Sequence, residues 1–337
     1  VDPACGSGSY LLGMLHVLDE LLARANRQLE LQEPRLERKR RRIENSLYGV
    51  DIMADAVEIC GSRLWLQLVG DEVRLASECR SGRVCTDLGL KIRRGDSLVQ
   101  ACYRTTPEQR GSPPLLGTRE APFVWDIVFA EVFGGGRKGF DIVIGNPPYV
   151  RQELIRDPCG ARRGKTVGDN RRYKAQLARS VYAAWPRTFG YDRVMDRAQW
   201  RLDARSDLYI YFYLHSLSLL NREGILCFIT SNAWLDVQYG RDLQEFLLTR
   251  GRVKLIMANE ARRSFPSANV NTVIGLMGSA EDGEAASPAS LEHVARFVML
   301  TVPYEQVLRP AIWEAVSSAT CRYATAEWRV VPVSYTH

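Results

Sequence analysis

The sequence predicts an α/β fold, with helices wound on both faces of a mostly parallel sheet that carries an antiparallel edge strand. Three observations predict it. Helical apolar patterns alternate with short β-rich runs along most of the 337 residues. A glycine turn stands directly before the first helix, and the apolar run Phe140 to Gly145 ends in the stiff polar segment Asn146-Pro147-Pro148-Tyr149.

The elements follow in order. Asp2-Pro3-Ala4-Cys5-Gly6-Ser7-Gly8 is a turn whose glycines let a ligand approach the backbone. It lacks the nicotinamide fingerprint, because Leu11 stands where the third glycine belongs, and no Gly-Lys-Ser/Thr makes it a P-loop. Tyr10, Leu11, Met14, Leu15, Leu18, Leu21 and Leu22 put an apolar stripe on a helix over 10–29. A second helix, 33–45, contains the basic run Arg35 to Arg42, which reads as a solvated face. A strand at 47–51 leads to Asp51 and a helix over 53–69, for which a cap is the alternative role of Asp51. Further strands fall near 89–94, 140–145, 224–230, 252–258 and 271–277. Residues 103–138 are rich in Pro and Gly and read as a surface excursion, and 150–206 as an arginine-rich insertion. No internal repeat is evident.

The segment Asn146 to Tyr149 sits at a strand's C-terminal end, where ligands collect in open α/β sheets. Asn146 offers a carbonyl oxygen as acceptor, and the Pro147 carbonyl offers a second on a backbone that proline stiffens. Pro148 adds stiffness and Tyr149 a stacking face. The set suits a flat, conjugated amine. Two acceptors, each taking one N–H, favour a pyramidal nitrogen whose lone pair is free to attack.

These two motifs, in this order, resemble the gamma-type adenine-specific DNA methyltransferases of restriction–modification and phage-defence systems, and most closely the methylase parts of fused (type IIG-like) enzymes. The resemblance runs from residue 1 to about 280. It implies a Rossmann-like methyltransferase fold and S-adenosyl-L-methionine as cofactor. It also implies methyl transfer to the N6 amine of an adenine flipped out of double-stranded DNA. Asn146, Pro147, Pro148 and Tyr149 would be catalytic. The cofactor would lie among Asp2, Pro3, Ala4, Gly6, Gly8, Asp51, Ile52, Asp96, Ser97 and Asn146. Asp51 would hold its ribose and Asp96 its adenine. Tyr149 would stack on the base, and Tyr239, after Asn232-Ala233-Trp234-Leu235, is the candidate second ring. Release-factor glutamine and RNA guanine amines are also planar and stay open as substrates, as does a non-catalytic DNA-binding subunit on this scaffold.

Composition adds limits. The formal charge of +6 is compatible with DNA and with much else. Eight Cys without a Cys-x-x-Cys pair, and four His, give no zinc constellation and point to free thiols in a reducing cytoplasm. There is no signal peptide and no membrane-length apolar run. Gly95-Asp96-Ser97-Leu98 spells a short esterase signature, but no His has the Asp three residues before it that a hydrolase would require. Both ends look cut, since only Val1 remains of the strand expected before Asp2, and a fragment is expected. Residues 1–280 would be the methyltransferase domain, with 281–337 a linker and the start of a target-recognition region beside a nuclease or specificity domain.

Overall fold

The structure is a computed structural model that describes residues 1–69, 91–99, 123–136, 138–158, 167–260, 271–307 and 309–334. The chain divides into two compact units, Val1–Glu131 and Val132–His337.

The first unit contains α1 (Ser9–Gln28), α2 (Arg35–Ser46), β1 (Gly49–Asp51), α3 (Ala54–Val69) and β2 (Ile92–Arg94). β1 and β2 pair in parallel, and Asp2 bridges to Gly49 in the same sense. Leu11, Leu12 and Leu15 of α1, Ile43 of α2, Cys60, Leu64 and Leu68 of α3 and Ile92 of β2 form one core. The stripe fades toward the end of α1, where Leu21 is exposed. The basic run of α2 is not wholly a solvated face. Arg35, Arg40 and Arg41 are exposed, but Arg38 and Lys39 are buried. The cause lies on α1: Asp19, one turn beyond Leu15 on the buried stripe, accepts a hydrogen bond from Arg38 Nε at 2.7 Å. A buried carboxylate needs such a partner.

The excursion expected over 103–138 is described only from 123, apart from Arg137. That end is core rather than surface. Phe123, Trp125 and Phe129 are buried, with Phe129 edge-on to Tyr48 at 5.1 Å between ring centres. Burial of three aromatic rings outweighs the local Pro and Gly signal.

The second unit is built on a seven-stranded mixed sheet in the order β10-β11-β9-β7-β8-β6-β3. Its strands are β3 (Phe140–Gly145), β6 (Leu220–Ser231), β7 (Arg252–Asn259), β8 (Thr272–Gly278), β9 (Val294–Leu300), β10 (Tyr323–Ala324) and β11 (Trp328–Ser334). β3 pairs in parallel with β6, and β7 with β9. The sheet is mixed rather than mostly parallel, because β8 runs antiparallel to both β6 and β7 and lies inside the sheet instead of at its edge, and β11 runs antiparallel to β9. β9 and β11 continue the sheet past residue 281. Helices α5 (Leu208–Ser218), α6 (Arg241–Thr249) and α7 (Pro310–Ser318) flank it, and α4 (Val167–Ala184) packs on α5. Val316 of α7 is buried with Leu255 and Met257 of β7, Val298 and Leu300 of β9 and Val330 of β11. The insertion over 150–206 is structured where described. It holds α4 and a small hairpin, β4 (Tyr191–Asp192) with β5 (Arg197–Ala198).

Candidate functional site

In the first unit the glycine turn is wired to β1. Asp2 N–H donates to the Tyr48 carbonyl, Val50 N–H to the Asp2 carbonyl and Cys5 N–H to the Val50 carbonyl, each at 3.0 Å. Asp51 ties the turn to the strand end: Oδ2 accepts from Gly6 N–H and Oδ1 from Met53 N–H, both at 2.9 Å. Gly95 N–H donates to the Asp51 carbonyl, which sets Asp96 next in line at the end of β2. Asp2, Ala4, Gly6, Asp51 and Asp96 are thus gathered at neighbouring strand ends. Ile52 is partly exposed beside them, whereas Pro3, Gly8 and Ser97 are buried.

Backbone conformation explains both glycines. Gly6 has φ +51° and Gly8 φ +83°, the left-handed region in which side chains are strained. A Cβ on Gly6 would meet nothing within 4 Å, so space lies open above it. A Cβ on Gly8 would lie 2.5 Å from Cys60 Sγ. Gly8→Ala is therefore expected to destabilise the chain by about 2–4 kcal/mol, from left-handed strain plus overpacking, in urea unfolding. An unchanged midpoint would refute the account.

Two polar features of this unit escaped the sequence. Arg63 of α3 reaches back to the turn, with Nη1 2.9 Å from the Ser7 carbonyl and 3.0 Å from Ser7 Oγ. Asp2 is 1% exposed; Oδ1 accepts from Ala4 N–H at 3.0 Å, while Oδ2 is buried with no partner among the described residues. Burial pushes the Asp2 carboxyl up to about 7, against the opposing Ala4 hydrogen bond. The hydrogen bond with the Cys60 thiol, and then burial, push the Cys5 thiol up, so Cys5 has the character of an inert core thiol.

In the second unit Asn146 to Tyr149 follows β3 directly. Asn146 is half-buried, and its Oδ1 is fully covered and without a partner among the described residues. Pro147 is buried and Pro148 exposed. The Tyr149 hydroxyl donates to the Ile229 carbonyl of β6 at 3.2 Å, which pins the ring to the neighbouring strand. Tyr239 lies in a short 3-10 turn, Gln238–Gly240, with its hydroxyl donating to Asp207 Oδ2 at 2.6 Å. Asp207 in turn accepts from Gln152 N–H at 2.9 Å. Tyr239 and the chain behind Tyr149 therefore meet on one carboxylate, a junction that sequence reasoning did not foresee. Gln152 lies within the arginine-rich insertion, whose Arg151, Arg156, Arg171 and Arg172 are exposed.

Among the described residues no cluster of His, Cys, Asp or Glu could hold a metal ion, and no helix is long and apolar enough to cross a membrane. The free thiols described are Cys5, Cys60, Cys227 and Cys321.

Comparison with known proteins agrees with the fold. The chain is 28% identical over 186 residues to the type II methyltransferase M.BstVI of Geobacillus stearothermophilus, covering 55% of this chain and 24% of that protein. It is 36% identical over 115 residues to M.XhoI of Xanthomonas vasicola, covering 33% of this chain and 15% of that protein. The chain thus spans about a quarter or less of these relatives. A nuclease-deletion mutant of the type ISP restriction-modification enzyme LlaGI, solved with a DNA substrate mimic, superposes with a TM-score of 0.50 at 12% identity, covering 88% of this chain and 21% of that one. That likeness bears on the fold, which is the α/β methyltransferase fold with a mixed seven-stranded sheet. The model of the Eco57I restriction-modification methylases matches residues 45–184 and 193–265, well over half of the chain. The chain belongs to the Eco57I restriction-modification methylase family.

Proposed function

We propose that this chain is the catalytic part of a restriction–modification DNA methyltransferase that moves a methyl group from S-adenosyl-L-methionine to the N6 amine of a flipped adenine. The observation that carries it is the buried, partnerless Oδ1 of Asn146 at the end of β3, beside the Pro147 carbonyl. A covered acceptor without a donor is costly, by about 1–3 kcal/mol, unless a ligand supplies the donor. An exocyclic amine supplies it.

The first unit's residues fit the cofactor. Space above Gly6 admits a close approach to the backbone, and the carboxylates of Asp51 and Asp96 suit the ribose hydroxyls and the adenine amine. The partnerless Asp2 Oδ2 suits a cationic or N–H donor. The cofactor supplies a methyl already activated by its sulfonium. Pro3, Ala4, Gly8, Ile52 and Ser97 would shape the walls.

In the second unit Asn146 Oδ1 and the Pro147 carbonyl each take one N–H of the amine. The amine's lone pair would then be free to take the methyl. Transfer would form the nitrogen–methyl bond as the methyl–sulfur bond breaks, with one amine proton released to water. Alignment of this kind lowers a barrier by up to about 7–11 kcal/mol. Unstacking the base costs a few kcal/mol, and the Tyr149 face returns roughly 1–3 by stacking. Tyr239, tethered by its hydroxyl, is the second wall in this reading. Residues 1–280 would carry the chemistry, and 281–337 would lead toward target recognition.

The test incubates the full-length protein with methyl-labelled cofactor and unmodified bacterial DNA and digests the DNA to nucleosides. Label in N6-methyladenine supports the reading. Label in N4-methylcytosine would keep the amine chemistry and change the base. Cofactor binding without any label in DNA would end the DNA reading, and release-factor and RNA substrates would be assayed next.

A further inference from the structure

We propose that Asp207 is a positioning residue that holds the Asn146–Tyr149 segment in place by clamping the chain just behind it to Tyr239. The proposal rests on that segment being the grip for the amine.

Asp207 stands at the N-cap of α5, yet its side chain makes no hydrogen bond to its own helix. Aspartate at this position ordinarily does so. Here the carboxylate spans two other segments. Oδ1 accepts from Gln152 N–H at 2.9 Å, and Oδ2 accepts from the Tyr239 hydroxyl at 2.6 Å. The next residue adds a parallel tie, with Leu208 N–H donating to the Val150 carbonyl at 3.0 Å. Bonds to a carboxylate are the strong class of hydrogen bond.

Each partner is itself fixed. Gln152 Oε1 accepts from Lys174 Nζ of α4 at 2.8 Å. Tyr239 is rooted in a turn where a Cβ on Gly240 would lie 2.0 Å from the Trp234 carbonyl oxygen, so the backbone there admits only glycine. Burial and the adjacent Asp207 carboxylate hold the Tyr239 hydroxyl above its ordinary range, which keeps it a donor. The segment is therefore held at two points. Tyr149 is tied to β6 through Ile229, and Gln152, three residues on, to Asp207. A single anchor would leave the prolines to pivot about Tyr149.

The test compares Asp207→Ala with Asp207→Asn in the full-length protein. The asparagine oxygen still accepts from Gln152 N–H, and its amide can donate to the Tyr239 hydroxyl. Loss of alignment by roughly 1 Å costs about 10²-fold in rate. Asp207→Ala is thus expected to lower kcat by about 10–100-fold with cofactor affinity unchanged within about twofold, while Asp207→Asn stays within about threefold of wild type. Hydrogen exchange at the Gln152 amide should rise in the alanine variant alone.

A second pair isolates the clamp should Asp207→Ala fail to fold. Arg151, at φ −64° and ψ 151°, has the backbone a residue before proline adopts, and Gln152 opens a 3-10 helix. Gln152→Pro deletes the donated N–H and should fall about tenfold below Gln152→Ala, which keeps it. The proposal is overturned if Asp207→Ala keeps kcat within about twofold, if asparagine is as impaired as alanine, or if the two Gln152 variants are alike. Wild type that labels no DNA refutes the amine-grip reading instead. Exchange at Gln152 then decides the clamp, rising in Asp207→Ala if it stands and unchanged if it does not.

Discussion

Asn146→Ala is expected to lower the rate of adenine methylation by about 10²–10³-fold, the usual consequence of deleting a preorganised polar group aimed at a reacting atom. Oδ1 is covered and partnerless among the described residues. Its desolvation is already suffered in the free protein, so nothing further is lost when the amine arrives, and one hydrogen bond is gained. The same fact makes the stability effect opposite in sign. Alanine removes an unsatisfied buried oxygen, so the variant should unfold at equal or higher denaturant, by up to about 1–2 kcal/mol. A residue with an ordinary packing role would lose both activity and stability. Asn146→Asp keeps an acceptor but adds charge, and should fall between alanine and wild type. Single-turnover labelling of DNA, paired with urea unfolding, reads both quantities. Activity within about fivefold of wild type would remove Asn146 from the mechanism. Weaker cofactor binding by the alanine variant would show that Asn146 also touches the cofactor.

The strand ends were legible because their signals are local. Asp51 and Asn146 each close an apolar β run, and Gly6 and Gly8 mark a turn before an amphipathic stripe. What the sequence hid is long-range. An Asp before a helix reads as a cap, and nothing local reveals that Asp207 serves Gln152 and Tyr239, 55 and 32 residues away. The burial of Arg38 was partly readable. Asp19 stands four residues after Leu15 and eight after Leu11, on the apolar stripe of α1, and a charge on such a stripe calls for a buried partner. β9 holds only two β-branched residues, Val294 and Val298, with Arg296 between them, and its place beside β7 depends on tertiary pairing. The aromatic cluster of Phe123, Trp125 and Phe129 was masked by the Pro- and Gly-rich composition around it.

Cofactor affinity is expected to rise about tenfold between pH 6 and pH 8, and to become flat over that range in Asp2→Asn. The Asp2 carboxyl is buried and pushed up to about 7, with desolvation the main cause and the Asp51 carboxylate adding to it. At pH 6 about a tenth of the chains carry Asp2 ionised, and at pH 8 about nine-tenths. S-adenosyl-L-methionine is cationic, and an ionised Asp2 with a partnerless Oδ2 attracts it, whereas a protonated one does not. The stability of the free chain should run the other way. The folded pKa lies above the unfolded value of 3.8, so the folded state binds the extra proton between those values. Stability from this group is full below about pH 4 and is lost as pH rises toward 7, on the order of a few kcal/mol. Asp2→Asn keeps the Ala4 N–H acceptor and removes the charge, so it should be more stable than wild type at pH 8 and bind the cofactor less tightly there. Calorimetric titration at pH 6, 7 and 8, with urea unfolding at pH 5 and 8, measures both. A wild-type affinity independent of pH would show that Asp2 does not face the cofactor's charge, and would leave Asp51 and Asp96 as the acidic contacts of the turn.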